Sequence, residues 1–298
     1  FPTRRSSDLL IDDYAEFFRS LDCTQFDICG DEIMGWSNFM LGDNEVSYKN
    51  RWKFLEHWKK YARKKLGISK GSASDTFIDY LNTTCERLES MGYTCRVFND
   101  EIDINSNQHL ELDTSIGITC WDLAKNSASH YADKGHTVYN GVMQWTYYVV
   151  RTKNGKDIMK GRYKTVNARN IFENWDPRSF SGPGSDKKYV DPSRLGGGYF
   201  FIWCDAPEYK TSADIWKETD LRMWANASRM WNPEVNSGSS GIRNAASYKS
   251  MKNFVKDLGG FPGFTGDPEA QAELPDHATL EQVTGDENWI EDLFWIND

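Results

Sequence analysis

A chain of 298 residues can form one large domain or two ordinary ones, with a sizeable buried core. Ten of its 44 acidic side chains lie in residues 265–298, which hold no Lys or Arg; the remainder sets 34 acidic against 35 basic groups, so the net charge of −9 belongs to a tail. A near-neutral body carries no electrostatic footprint for nucleic acid, and no apolar run approaches the ~20 residues of a membrane helix.

Twelve Trp within 14% aromatic content stand out. Trp is large and rarely fully buried, so so many of them suggest stacking platforms for sugar rings, with at least half expected as ordinary packing. The six cysteines form no Cys-x-x-Cys pair or metal-ligand spacing. Cys29, Cys120 and Cys204 sit in apolar runs and read as small packing hydrophobes. No Gly-rich phosphate loop is present either, so no cofactor is implied.

In chain order, Phe1 to Leu9 resembles a translated sequencing-library adapter and is set apart from fold reasoning. Residues 10–22 read as the end of a helix, with Leu10, Tyr14, Phe17, Phe18 and Leu21 on an apolar face. Phe26, Ile28 and Cys29 then make a short buried strand that stops at Gly30, and two carboxylates follow, Asp31 and Glu32. Adjacent strand residues point to opposite faces. These two therefore converge on one ligand only if the chain turns, which Gly30 permits.

Residues 46–66 read as a basic, aromatic helix. Ser74 to Met91 is a second helix, with Ser74 as N-cap and Gly92 as its end. Cys95 to Ile102 is a strand running into Asn99-Asp100-Glu101, loop acids or partners of a site. Ile116 to Trp121 is a third strand, and Leu123 to Lys134 a short helix. His136, a structural histidine on this reading, opens a strand-like stretch to Asn140, and Trp145 to Val150 is another. Residues 151–198 are long, polar and punctuated by Gly and Pro. Gly196 to Asp205 is a strand ending in Trp203-Cys204-Asp205, and Thr211 to Trp231 is its helix, with Thr211 or Ser212 as N-cap.

Alternating strands and helices with Trp or carboxylate at the strand ends predict an α/β fold, a (β/α)8 TIM-type barrel. About five strands are too few to close eight, so residues 10–232 are expected to be the second half of a barrel. Residues 233–264, with a helix at about Tyr248 to Leu258, read as a helical extension, and 265–298 as an acidic tail or the start of a further module.

As a set, these strand ends resemble glycoside hydrolase family 20, the β-N-acetylhexosaminidases and lacto-N-biosidases. Gly30-Asp31-Glu32 matches the family's Gly-x-Asp-Glu signature, one residue shorter at the Gly. Trp203-Cys204-Asp205 matches its Trp-x-Asp/Glu end of the last barrel strand. Tyr147 and Tyr148 are candidates for its tyrosine after the seventh strand, and Tyr148 fits the family phase better.

The resemblance implies retaining, substrate-assisted hydrolysis of terminal β-linked N-acetylhexosamine, in which the sugar's own acetamido oxygen attacks the anomeric carbon. Glu32 would be the general acid, Asp31 the carboxylate that orients the acetamide, and Tyr148 the hydroxyl that holds its oxygen. Trp121, Trp203 and Phe98, where the family usually has a third Trp, would box the acetamide methyl. Tyr147 would complete the substrate surface, and Asp205 would bind outer hydroxyls. The implied partner is an oligosaccharide or glycoconjugate in a secreted or cell-surface setting. The family's arginine clamp and histidine relay have no counterpart here, as expected of the second half of a barrel. Release of a disaccharide, a two-carboxylate mechanism through Glu101, and glycan binding without cleavage are the competing readings.

Overall fold

In a computed structural model, the described residues are 2–32, 45–103, 107–122, 126–150, 167–205, 207–232 and 247–258. In order they form α1 (Pro2–Arg19), β1 (Gln25–Asp27), α2 (Glu45–Lys64), α3 (Ala73–Ser90), β2 (Thr94–Phe98), β3 (Gly117–Cys120), α4 (Ala128–Asp133), β4 (Val138–Asn140), α5 (Met143–Thr146), β5 (Tyr147–Val149), α6 (Ala168–Asn174), β6 (Leu195–Gly198), β7 (Phe201–Trp203), α7 (Ser212–Trp231) and α8 (Tyr248–Asp257). The acidic tail at 265–298, and most of the extension at 233–264, lie outside the described residues.

The strands run parallel throughout, β1-β2-β3-β4-β6 in one sheet and β5-β7 in another. Strand 196–205, expected to be continuous, is in fact two ladder segments. β6 pairs with β4, and after Tyr199 and Phe200 the chain resumes as β7 beside β5. Likewise the single turn α5 stands where a strand from Trp145 was expected. Six strand-like runs thus appear as seven short segments of an α/β fold with parallel strands, and the described strands do not close a barrel.

The two faces of this sheet differ in kind. The outer face is aliphatic: Cys95, Val97, Ile118, Cys120 and Val138 are buried against Phe77, Ile78, Leu81, Cys85 and Leu88 of α3 and Tyr131 of α4. Burying side chains of this size is worth about 1.5–3 kcal/mol each. The inner face carries Arg96, Phe98, Thr119, Tyr139 and Phe201. Arg96 lays its guanidinium 4.9 Å from the Tyr139 ring centroid and 5.2 Å from that of Tyr199, a cation–π stack.

Glycine makes room for those rings. A Cβ built on Gly196 would lie 2.5 Å from two carbons of the Tyr139 ring, and one on Gly117 would lie 2.7 Å from another.

Helix starts follow their side-chain chemistry. The N-cap of α3 is Ser72, correcting Ser74; Ser72 and Asp75 form a capping box, and Ser74 is buried as the second helical residue. Asp75 also accepts from the backbone N–H groups of His109 and Leu110, the latter at 2.8 Å. Burial alone would raise its pKa, but these bonds hold it at about 2. Thr211 caps α7 with a second box. The predicted helix 123–134 is described only from Ala128, behind the cap of Ser127. α6, inside the long polar stretch, was not expected; Asn167 caps it.

The cysteines are all unbridged. Cys120, Cys85 and Cys95 are buried, whereas Cys29 and Cys204 are exposed, which corrects their reading as packing residues.

Two expectations follow. Gly196→Ala should lower the unfolding free energy by about 1–3 kcal/mol through overpacking, seen as a lower urea midpoint; an unchanged midpoint would mean that the Tyr139 ring has room to yield. Asp75→Asn should destabilise at neutral pH. Because the folded pKa of Asp75 is depressed, its contribution is complete above the unfolded value of ~3.9 and disappears as pH falls through about 2. The gap between variant and wild type should therefore close over that window in pH-dependent thermal melts.

Candidate active site

β1 hands the chain to a sharp turn. Cys29 and Gly30 take φ of 62° and 80°, and Glu32 takes 56°. Cys29 still accepts from the Phe98 N–H at 2.9 Å, so the turn is anchored on β2. Gly30 is needed there on two counts. Its φ is unfavourable for an L side chain, and a Cβ would lie 3.2 Å from the Phe77 ring. The expected break in alternation at Gly30 is therefore present, and it begins one residue earlier.

Asp31 and Glu32 are both half-buried in this turn. Burial raises the Asp31 pKa. The Glu32 N–H donates to Asp100 Oδ2 at 2.7 Å, and the other oxygen of Asp100 accepts from the Trp121 indole at 2.8 Å. Asp100 and Glu101 are 1% and 0% exposed, so they are buried groups and not solvated loop acids. Burial pushes the Asp100 pKa up to about 7; the bonds from Glu32 and Trp121 oppose the rise, and the neighbouring Glu101 charge adds to it.

Asn99, also fully buried, fixes the end of β3. Its Oδ1 accepts from the Trp121 N–H at 3.0 Å, and its Nδ2 donates to the Asp122 carbonyl at 2.7 Å. His136 is buried and bonded through Nδ1 to the Ile116 carbonyl, in keeping with its structural reading.

From Trp121 the rings run without a break. Trp121 stacks on Tyr147 at 6.0 Å, Tyr147 meets Trp203 at 5.7 Å, and Trp203 stacks on Phe201 at 5.6 Å. Phe201 then reaches Phe98 at 5.8 Å. The Trp203 indole N–H is buried and has no hydrogen-bond partner among the described residues. Trp121, Tyr147, Trp203 and, through Phe201, Phe98 therefore share one aromatic surface, joined to the acidic turn by Asp100. Asp205 lies beyond the end of β7 and is exposed.

Tyr148 points the other way. Its register partner is Ile202, whereas that of Tyr147 is Phe201, so the two tyrosines occupy opposite faces. The Tyr148 hydroxyl donates to Glu218 Oε2 of α7 at 2.7 Å, and Arg222 lies 5.2 Å from its ring centroid. Burial and the Glu218 carboxylate both raise its pKa. Tyr148 is thus a strand-to-helix tie, and Tyr147 is the one of the two tyrosines that lies on the aromatic surface.

A cavity of about 350 Å³ opens elsewhere, lined by Trp145, Asn174, Asp176 and Lys187 among others, and it shares no residue with the aromatic surface. Within it the Trp145 indole donates to the Ser181 carbonyl, and Asp176 accepts from Arg178. Among the described residues, no cluster of His, Cys, Asp and Glu could hold a metal ion, and no helix is long and apolar enough to cross a membrane.

No protein-family model matches the chain, and no curated protein matches it. Solved structures do. The chain is similar to the GH20 exo-β-N-acetylglucosaminidase from Vibrio harveyi solved with N-acetylglucosamine, at 15% identity and a TM-score of 0.53, over 84% of this chain and 34% of that one. An inactive mutant of the same enzyme gives 15% and 0.52 over the same shares. The pneumococcal exo-β-D-N-acetylglucosaminidase StrH gives 16% and 0.47, over 84% of this chain and 61% of that one. The chain spans only part of each of these proteins. At such identities the likeness is one of fold, the α/β barrel fold of these glycoside hydrolases.

Because its hydroxyl serves α7, Tyr148→Phe should cost roughly 1 kcal/mol of stability, measured by thermal melting. A melting temperature equal to that of the wild type would argue against the Glu218 tie.

Proposed function

We propose that this chain is the carboxyl-terminal part of the barrel of a retaining β-N-acetylhexosaminidase, which hydrolyses terminal β-linked N-acetylhexosamine from glycans with the help of the substrate's own acetamido group. One observation carries the reading: a single buried carboxylate, Asp100, joins the Asp31–Glu32 turn to a continuous surface of Trp121, Tyr147 and Trp203. The fold shared with the Vibrio harveyi enzyme gives independent support.

On this reading Glu32 protonates the leaving oxygen as the acetamido oxygen attacks the anomeric carbon. Asp31, half-buried, accepts the acetamide N–H and offsets the positive charge that grows on the forming oxazolinium ring. That charge in turn favours the ionised carboxylate, against the burial that raises its pKa. Tyr147, and not Tyr148, donates to the acetamido oxygen and holds it at the ~3–3.5 Å of a near-attack arrangement. Trp121 and Trp203 wall the acetamide methyl, and Phe98 backs that wall through Phe201. The unpartnered Trp203 indole N–H offers a donor to the sugar, whose oxygens would relieve the cost of leaving it unpaired. Asp205, exposed at the rim, accepts from outer hydroxyls. Water then opens the intermediate with Glu32 as base, giving net retention.

The test combines binding and turnover. A thiazoline mimic of the oxazolinium ring should raise the melting temperature of the chain, and Asp31→Asn should abolish that rise. With the protein that carries this chain, Glu32→Gln should slow release of nitrophenol from 4-nitrophenyl N-acetyl-β-D-glucosaminide by ~10²–10⁴-fold. Tyr147→Phe should slow it by ~10²–10³-fold, while Tyr148→Phe changes kcat little. Binding of the mimic without any turnover would leave a glycan-binding barrel. The absence of both binding and turnover would overturn the assignment.

A further inference from the structure

We propose that Asp100 is a positioning residue of this site, a carboxylate clasp that sets the turn bearing Asp31 and Glu32 at a fixed distance from the Trp121 wall. The proposal rests on the functional reading above for its consequence in catalysis. The clasp itself rests on geometry alone.

Asp100 follows β2 and belongs to neither of the elements it joins. Its Oδ2 takes the Glu32 N–H from the turn after β1, and its Oδ1 takes the Trp121 indole N–H from the end of β3. Both donors have short, specific contacts with it, and the carboxylate is 1% exposed. A buried carboxylate keeps its charge only where donors replace the lost water. Glu32 stands at φ 56°, a conformation that a non-glycine residue adopts only when its surroundings hold it there. The bond to Asp100 is a contact that does so.

The clasp is closed when Asp100 is ionised, because both oxygens then accept. A proton on either oxygen removes the charge that strengthens both bonds and takes one of that oxygen's lone pairs, so at least one of the two bonds weakens. Among the described residues, the ionisable groups beside Asp100 are Glu101 in its own turn, Glu32, whose N–H it accepts, and the Tyr131 phenol of α4, with Asp122 one residue beyond its other donor, Trp121. Asp103 lies behind, paired with His130 and Lys134. Burial is the main reason that the Asp100 pKa is pushed up to about 7, and the neighbouring Glu101 charge adds to it against the two bonds. The clasp should hold above neutral pH and loosen below it.

Tryptophan-selective ¹⁵N labelling gives a direct readout, with the Trp121 indole resonance assigned by its loss in Trp121→Phe. In the wild-type chain that resonance should shift with a midpoint near pH 7, and in Asp100→Asn the shift should be absent. In the protein that carries this chain, Asp100→Asn should lower kcat by ~10–100-fold with little change in KM, and remove the corresponding inflection from the pH profile. A destabilised but otherwise normal enzyme would instead lose active fraction and keep the inflection. An indole resonance that stays flat from pH 5 to 9 in the wild type overturns the clasp, whatever the activity. A titrating indole in a protein without hydrolytic activity keeps the clasp and sinks the glycosidase reading.

Discussion

In a parallel ladder, neighbouring side chains must leave the backbone on opposite sides, and this rule sorts the molecule into an aliphatic exterior and an aromatic interior. On β2, Cys95 and Val97 go out to α3 while Arg96 and Phe98 go in; on β7, Ile202 goes out while Phe201 and Trp203 go in. The register of β5 on β7 then leaves no choice for the adjacent tyrosines, one to each side. Catalytic geometry in such a fold is decided by parity as much as by residue type. The acidic turn is the place where parity is suspended, and three positive φ values in four residues are the means.

Much of the architecture was legible because the signals were local. Apolar runs marked β1, β2, β3 and the 196–205 stretch, and the helices over 73–90 and 212–231 declared themselves by their period and by Ser or Thr caps. The shift from Ser74 to Ser72 is instructive. Ser72-Ala-Ser-Asp75 contains the Ser-x-x-acid spacing of a capping box, whereas Ser74 has Phe77 at the matching place. α6 was hidden because seven residues carry too little periodicity to stand out in a polar stretch.

The site was legible as a list and not as an arrangement. Trp121, Trp203 and the acidic pair stand out as strand-end residues, but which of Tyr147 and Tyr148 faces the aromatic surface depends on the cross-strand register, which no single stretch encodes. Asn99 and Asp100 are a similar case. Polar residues after a strand usually meet solvent, and only the fold shows these two sealed beneath it, with their side chains bonded to the turn after β1 and the end of β3. A carboxylate that joins two loops has no local pattern.

One face of α1 is exposed among the described residues. Leu10, Tyr14, Phe17 and Leu21 of the first helix and its exit are each more than half exposed, although Ala15 and Phe18 on its other face join the core. Their spacing is that of a heptad seam. Beside it runs β1, which has a hydrogen-bonded neighbour on one flank only among the described strands. An apolar helical stripe next to a strand flank with no ladder partner among the described strands is an adhesive rim. Prepared by itself, the polypeptide is therefore expected to self-associate along that rim, and charged residues at Tyr14 and Phe17 are the natural means of keeping it monodisperse.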